Sequence, residues 1–206
     1  MDISFLSENN ENVAKIFLGK ALRIIEKRPG HTKVLDFIIT ETEYYSEEDE
    51  ASHTYLGKRT IRNKPMYLPY GHLYVYMIYG IYYCLNIVTG PADTGAAVLI
   101  RGGVPVNCIE EIQDRRNCKD LPAKICNGPG KLCQGLGVDK SWDALDLTAN
   151  RTVRLENLGV EYKDILIGTR VGIKKAKEKA WRFMIPTFTL QNKPYAYEAA
   201  QKILSP

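Results

Sequence analysis

The sequence predicts a mixed α/β chain of the α+β kind, one domain over residues 1–206 with an antiparallel sheet, a protruding β-hairpin and surrounding helices. Three observations carry this. Six tyrosines between Tyr70 and Tyr83 alternate with apolar residues around Tyr79-Gly80, the pattern of a hairpin. Strand-like runs at 34–43 and 95–101 lie close enough in sequence to pair antiparallel with it. Stretches of helical spacing occupy 12–27 and 105–117. With 206 residues and 45% hydrophobic content, one sizeable core can form.

The elements follow in order. Val13, Ile16, Phe17, Ala21, Leu22 and Ile25 recur at helical intervals behind polar capping candidates, which predicts an amphipathic helix stopped by Arg28-Pro-Gly30. In the strand from Val34 to Glu43, alternation puts Leu35, Phe37, Ile39, Glu41 and Glu43 on one face, so two carboxylates extend an apolar row. Residues 46–64 are polar and read as a long surface loop. In the hairpin, Gly80 supplies the positive φ of a tight turn, Tyr79 rides exposed at the tip, and the remaining tyrosines form a row on one side. Tyrosine is also at home on any pleated, half-buried surface. Further short strands are expected over 153–173, and a terminal helix over 195–204.

Composition excludes little and permits much. A net charge of +4 and a pI near 8.7 allow a polyanionic partner without demanding one. The sequence contains no apolar run of membrane-spanning length and no secretory-type start, so a cytoplasmic protein is expected. Five cysteines without a Cys-x-x-Cys pair and three scattered histidines indicate reduced thiols, no metal and no cofactor.

Glu43 closes a strand with Glu41 two residues away. Partial burial and a like charge raise a carboxylate's pKa, as suits a general base, and Arg101 across the sheet would oppose that rise and keep it ionised. A strand-end carboxylate facing solvent fits the same pattern. Tyr44, Tyr45, His53, Tyr74 and Tyr76 supply flat rings for a planar heterocycle. Gly128-Pro-Gly-Lys131 has the makings of a phosphate-cradling turn at a helix start, although Ile125 and Leu132 rule out a nucleotide-triphosphate loop. It serves equally as a plain turn.

Ile39-Thr-Glu-Thr-Glu-Tyr-Tyr45, Asp49-Glu-Ala-Ser-His53, Arg62-Asn63 with Met66, Gly71-His-Leu-Tyr-Val-Tyr-Met-Ile-Tyr-Gly80, Asn86, Ala97-Val-Leu-Ile-Arg101, Gly128-Pro-Gly-Lys-Leu132 and Arg170-Val-Gly-Ile173 occur in that order. Together they resemble the alkyladenine (3-methyladenine) DNA glycosylase family. The resemblance implies a compact bacterial-type member, a monomer with a curved antiparallel sheet and no metal, acting on damaged double-stranded DNA. It would flip an alkylated or deaminated purine from the duplex and hydrolyse the N-glycosidic bond, leaving an abasic site. Glu43 would activate water with Arg101 helping to hold it. Tyr45, His53 and Tyr76 would contact the extruded base, Asn86 would disfavour normal guanine, and Tyr79 would fill the gap in the duplex. Arg62, Lys131, Gly128 and Gly130 would meet the DNA backbone. The chain departs from the family pattern at Tyr44, where a small residue is usual, and at Gly102-Gly103.

Two other readings compete. A carbohydrate hydrolase also uses paired carboxylates, but Glu41 and Glu43, about 7 Å apart on one strand, would point from the same side instead of flanking a bond. A single-strand nucleic-acid binding module could use the tyrosines for stacking, and would leave Glu43 without a task.

Overall fold

The computed structural model describes residues 3–197. Its central feature is a long strand, β2 (His31–Tyr45), buried on both faces from Leu35 through Tyr44. Along one edge it pairs antiparallel with β5 (Ala96–Pro105). The other edge is shared: β1 (Ala21–Arg28) takes the first half, and β8 (Arg182–Met184) takes Glu41–Glu43. Beyond β5 lies the hairpin of β3 (Leu73–Ile78) and β4 (Tyr82–Thr89), and β6 (Val153–Glu156) closes the far side against β1. β7 (Leu166–Gly168) pairs with β8, while β9 (Thr187–Leu190) and β10 (Lys193–Ala196) form a small separate hairpin. The described residues thus form the expected α+β fold on an open, antiparallel sheet.

Among the described residues four α-helices surround the sheet: α1 (Asn12–Ile16), α2 (Ile109–Arg116), α3 (Pro122–Ile125) and α4 (Pro129–Leu136). They cover it with Val13, Ala14, Ile112, Ile125, Leu132 and Leu136, which join the strand residues in one core cluster. No helix among the described residues is long and apolar enough to cross a membrane. The five cysteines are free thiols, with Cys84, Cys126 and Cys133 buried.

The helix expected over residues 12–27 is mostly absent. It stops at Ile16, and Ala21–Arg28 is strand β1, registered residue for residue against His31–Ile38. Ala21, Leu22 and Ile25 satisfy a helical count, but as a strand they pair along their length with a long partner. What looked like a stop signal is the hairpin turn: Arg28 pairs with His31 across Pro29-Gly30, with Gly30 at φ +79 as the third position of a Pro-Gly turn requires. Tyr195 and Ala196, expected to begin a terminal helix, lie in β10. The rest of that expected helix falls outside the described residues.

Residues 46–64 form a loop, as expected, but it is no mere surface strap: Ser46, Asp49, Ser52, Thr54 and Asn63 are buried. Asn63 holds it together by donating from Nδ2 to the carbonyls of His53 and Lys58, both at 2.8 Å. The single row of tyrosines also fails. Tyr74 and Tyr76 share one face, whereas Tyr70 and Tyr83 pack against the main core. Register explains this, because Met77 faces Tyr83 and Tyr76 faces Cys84 across the hairpin.

Between Ile39 and Thr42 the β2–β5 register shifts twice, at the point where β1 gives way to β8. Gly102 and Gly103 make this irregularity possible. A Cβ on Gly103 would lie 2.1 Å from the Ile38 carbonyl oxygen, and one on Gly102 would lie 2.0 Å from the Tyr197 hydroxyl. At residue 103 the clash is with backbone and only glycine fits, whereas at residue 102 a side chain would displace the Tyr197 hydroxyl.

Candidate active site

Glu43 sits opposite Leu99 of β5 and Arg182 of β8, so strands on both sides exclude water from it. Its carboxylate is fully buried at the inner wall of a cavity of about 630 Å³. An uncompensated charge there would be prohibitive, and three groups compensate it. The Tyr45 hydroxyl donates to Oε2 at 2.8 Å, the Val171 backbone N–H donates to Oε1 at 2.8 Å, and Arg101 Nη1 lies 3.5 Å from Oε1. Burial pushes the Glu43 pKa above the ordinary carboxylate value, and Arg101, Val171 and Tyr45 pull it back. The result is a carboxylate that can exist ionised and still gains by taking a proton.

Tyr45, His53, Tyr76, Asn86 and Arg101 line the same cavity as Glu43. Successive alternate positions of β2 bring Glu43 and Tyr45 together, while Thr42 and Tyr44 turn the other way. Tyr44 is buried there, its hydroxyl 2.9 Å from Asn9 Oδ1 and its ring edge-on to Trp181. The Tyr44 departure from the family pattern therefore falls outside the cavity. β3 and β4 contribute Tyr74, Tyr76 and Asn86, and Asn86 Nδ2 is fixed at 3.0 Å on the Tyr74 carbonyl.

The 46–64 loop brings His53 to the hairpin. Its ring centroid is 4.7 Å from that of Tyr76, and Nδ1 is 2.8 Å from the Tyr74 hydroxyl. Burial, followed by the charges of Arg62 and Lys58, holds the imidazole below its ordinary pKa. His53 is accordingly neutral near pH 7.

Tyr79 is 87% exposed at the tip between Ile78 and Tyr82, and it lines the cavity mouth. Its φ of 53° is left-handed, the conformation a tight hairpin turn requires. Arg62, Gly128, Gly130 and Lys131 are not in the cavity. Arg62 lies over the Tyr76 ring at 5.0 Å and donates to the Met77 carbonyl at 3.0 Å. Gly128 precedes α4, Gly130 rests against Tyr82, and Lys131 Nζ is 2.8 Å from Asn127 Oδ1. Pro129, between the glycines, does reach the cavity wall.

The sequence alone points to no task for Val171 or Arg170, although both stand in the Arg170–Ile173 motif. Arg170 is buried and paired with Asp49, donates to the Tyr44 carbonyl at 2.9 Å, and stacks at 4.6 Å over the Tyr45 ring. It therefore clamps the segment whose next residue, Val171, holds Glu43. Lys174 and Lys175 also border the cavity and went unnoticed.

A buried carboxylate, a ring-lined cavity and an exposed aromatic beside its mouth belong together in an enzyme of the DNA glycosylase class, a hydrolase of base excision repair. Residues 4–188 match the family model for methylpurine-DNA glycosylase (MPG), and the chain belongs to that family. Similar curated proteins carry the provisional name 3-methyladenine DNA glycosylase. One from Natranaerobius thermophilus is 36% identical over 90% of this chain and 94% of its own length. One from Ehrlichia ruminantium is 37% identical over 90% of this chain and 89% of its own. A third, from Ehrlichia chaffeensis, is 38% identical over 90% and 93%.

Proposed function

We propose that this enzyme extracts alkylated purines, 3-methyladenine first among them, from duplex DNA and hydrolyses their N-glycosidic bond with water activated by Glu43. The observation that carries the proposal is the Glu43 carboxylate at the wall of an aromatic cavity, held by Tyr45, Val171 and Arg101. At about 630 Å³ the cavity is within the ~300–1,000 Å³ usual for small-molecule sites, ample for a purine.

The chemistry follows from charge. An alkylated purine is cationic, so aromatic faces favour it over normal bases. When the bond from C1′ to the ring nitrogen breaks, the electron pair leaves with the base, which departs neutral. Positive charge develops on the sugar, and an ionised Glu43 stabilises it. Water then bonds to C1′ and passes its proton to Glu43. Arg101 keeps the carboxylate ionised and helps to hold that water.

Unstacking the damaged nucleotide costs a few kcal/mol, and Tyr79 entering the vacated space would offset part of it. Asn86, fixed on the Tyr74 carbonyl, would crowd the 2-amino group of guanine. Arg62, Gly128, Gly130 and Lys131 would serve as contacts to the DNA backbone. Because the family is one of hydrolases, a purely binding role for the tyrosines is set aside.

Chromatography of the bases freed from methylated duplex DNA tests the proposal and reports specificity at once. Release of 3-methyladenine is expected, with 7-methylguanine and hypoxanthine as the candidates for a wider range; no freed purine would refute it.

A further inference from the structure

Glu41, two residues before Glu43, is buried and lines no part of the cavity, yet its carboxylate accepts three side-chain hydrogen bonds. Its Oε1 accepts from Arg101 Nε at 2.9 Å and from Arg182 Nε at 2.6 Å. Its Oε2 accepts from the Tyr197 hydroxyl at 2.5 Å. Arg101 is thereby held by its Nε on one carboxylate while its Nη1 faces the other, Glu43.

We propose that Glu41 and Tyr197 are positioning residues for base release: Tyr197 fixes the Glu41 carboxylate, Glu41 fixes the Arg101 guanidinium, and Arg101 presents its outer nitrogen to Glu43. The inference rests on the proposed roles of Glu43 and Arg101, and it extends the machinery to a tyrosine 154 positions beyond the base, counted from 43 to 197.

Charge and shape both support it. Two carboxylates and two guanidiniums meet here, so the group is balanced, but unevenly shared. Glu41 takes the Nε of both arginines, and Glu43 receives a single longer approach. Were Glu41 free to rotate, Arg101 could swing to pair fully with Glu43 and blunt it as a base. A donor at 2.5 Å on the remaining Glu41 oxygen prevents that rotation. The space for that donor exists because residue 102 lacks a side chain: a Cβ there would lie 2.0 Å from the Tyr197 oxygen and 2.9 Å from its Cζ. Gly102 and Tyr197 are therefore complementary, and the departure from the family pattern at this glycine acquires a purpose.

The test compares Tyr197→Phe, Tyr197→Ala and Glu41→Gln in the full-length protein. The readouts are single-turnover release of 3-methyladenine, affinity for a duplex containing an abasic-site analogue, and solvent exchange of the Arg101 Nε–H by NMR. Tyr197→Phe keeps the ring and removes only the hydroxyl. It should slow release about ten-fold with affinity unchanged, and should speed Arg101 Nε–H exchange by a similar factor. A residue needed only for packing would be rescued by Phe and not by Ala. Parental release by Tyr197→Phe, or an Arg101 signal equally protected in Tyr197→Phe and Glu41→Gln, would overturn the inference. The exchange measurement needs no activity, so loss of protection in an enzyme that released no purine would sink the proposed function while supporting the network.

Discussion

The backbone N–H of Val171 donates to Glu43 Oε1 at 2.8 Å across 128 residues of sequence. A main-chain donor cannot be mutated away or titrated, so it fixes one carboxylate oxygen permanently. The other oxygen is left to Tyr45. This division bears on how the site should respond to substitution and to pH.

Glu43→Gln keeps the size of the side chain and removes the base. Release from alkylated DNA should fall by at least the ~10²–10⁴ attributed to general-base catalysis, with duplex binding nearly intact. Gel-shift and release assays on one preparation check this; parental release by the variant would mean that another group activates water.

The acid limb of the pH–rate profile should lie above the ordinary carboxylate value, because burial raises the Glu43 pKa more than its partners lower it. Tyr45→Phe and Arg101→Gln each remove a group favouring the ionised form, so each should move that limb to higher pH. The sign for stability is the same: the folded protein holds a proton that the unfolded chain releases, so Glu43's contribution declines as pH rises from about 4.5 through the raised value. Release rates and urea midpoints across pH 4–8 test both statements, and a limb moving down in Tyr45→Phe would contradict the assignment.

Tyr79→Ser removes an exposed ring with no folded-state packing to lose. Stability should be unchanged within about 0.5 kcal/mol. Affinity for damaged duplex should drop more than affinity for single strands. Equal losses on the two substrates would remove the wedge role.

Arg170→Met leaves buried Asp49 with Lys179, 4.0 Å away, in place of its hydrogen-bonded guanidinium, and releases the segment that carries Val171. Breaking such a pair from one side costs roughly 3–5 kcal/mol. Denaturant unfolding should show that loss, and release should fall even at temperatures where the variant remains folded. An unchanged rate in folded protein would separate the clamp from the position of Glu43.

Much of the site was legible because its residues come in short runs. Glu43 with Tyr45, and Tyr74 with Tyr76, are brought together by the two-residue period of a strand, and Tyr79-Gly80 announces its own turn. His53 joins them in the sequence only by lying near Glu43 and by the family resemblance, since nothing in a polar loop says that Asn63 will fold it back toward the hairpin. Over residues 21–28 the spacing of Ala21, Leu22 and Ile25 favours a helix, and only the presence of β2 beside them decides for the strand.

By itself, then, the sequence determined the hairpin and its exposed tip, the strand ending in two acids, and the chemical family of the chain. These are local matters of period, turn chemistry and ordered motifs. The tertiary structure alone decided that Glu43 is sealed between β5 and β8, that the Val171 backbone holds it, and that Tyr197 reaches Glu41 through the gap at Gly102. Burial and long-range hydrogen bonds depend on which distant segments come to lie side by side, and spacing along one chain carries no record of that.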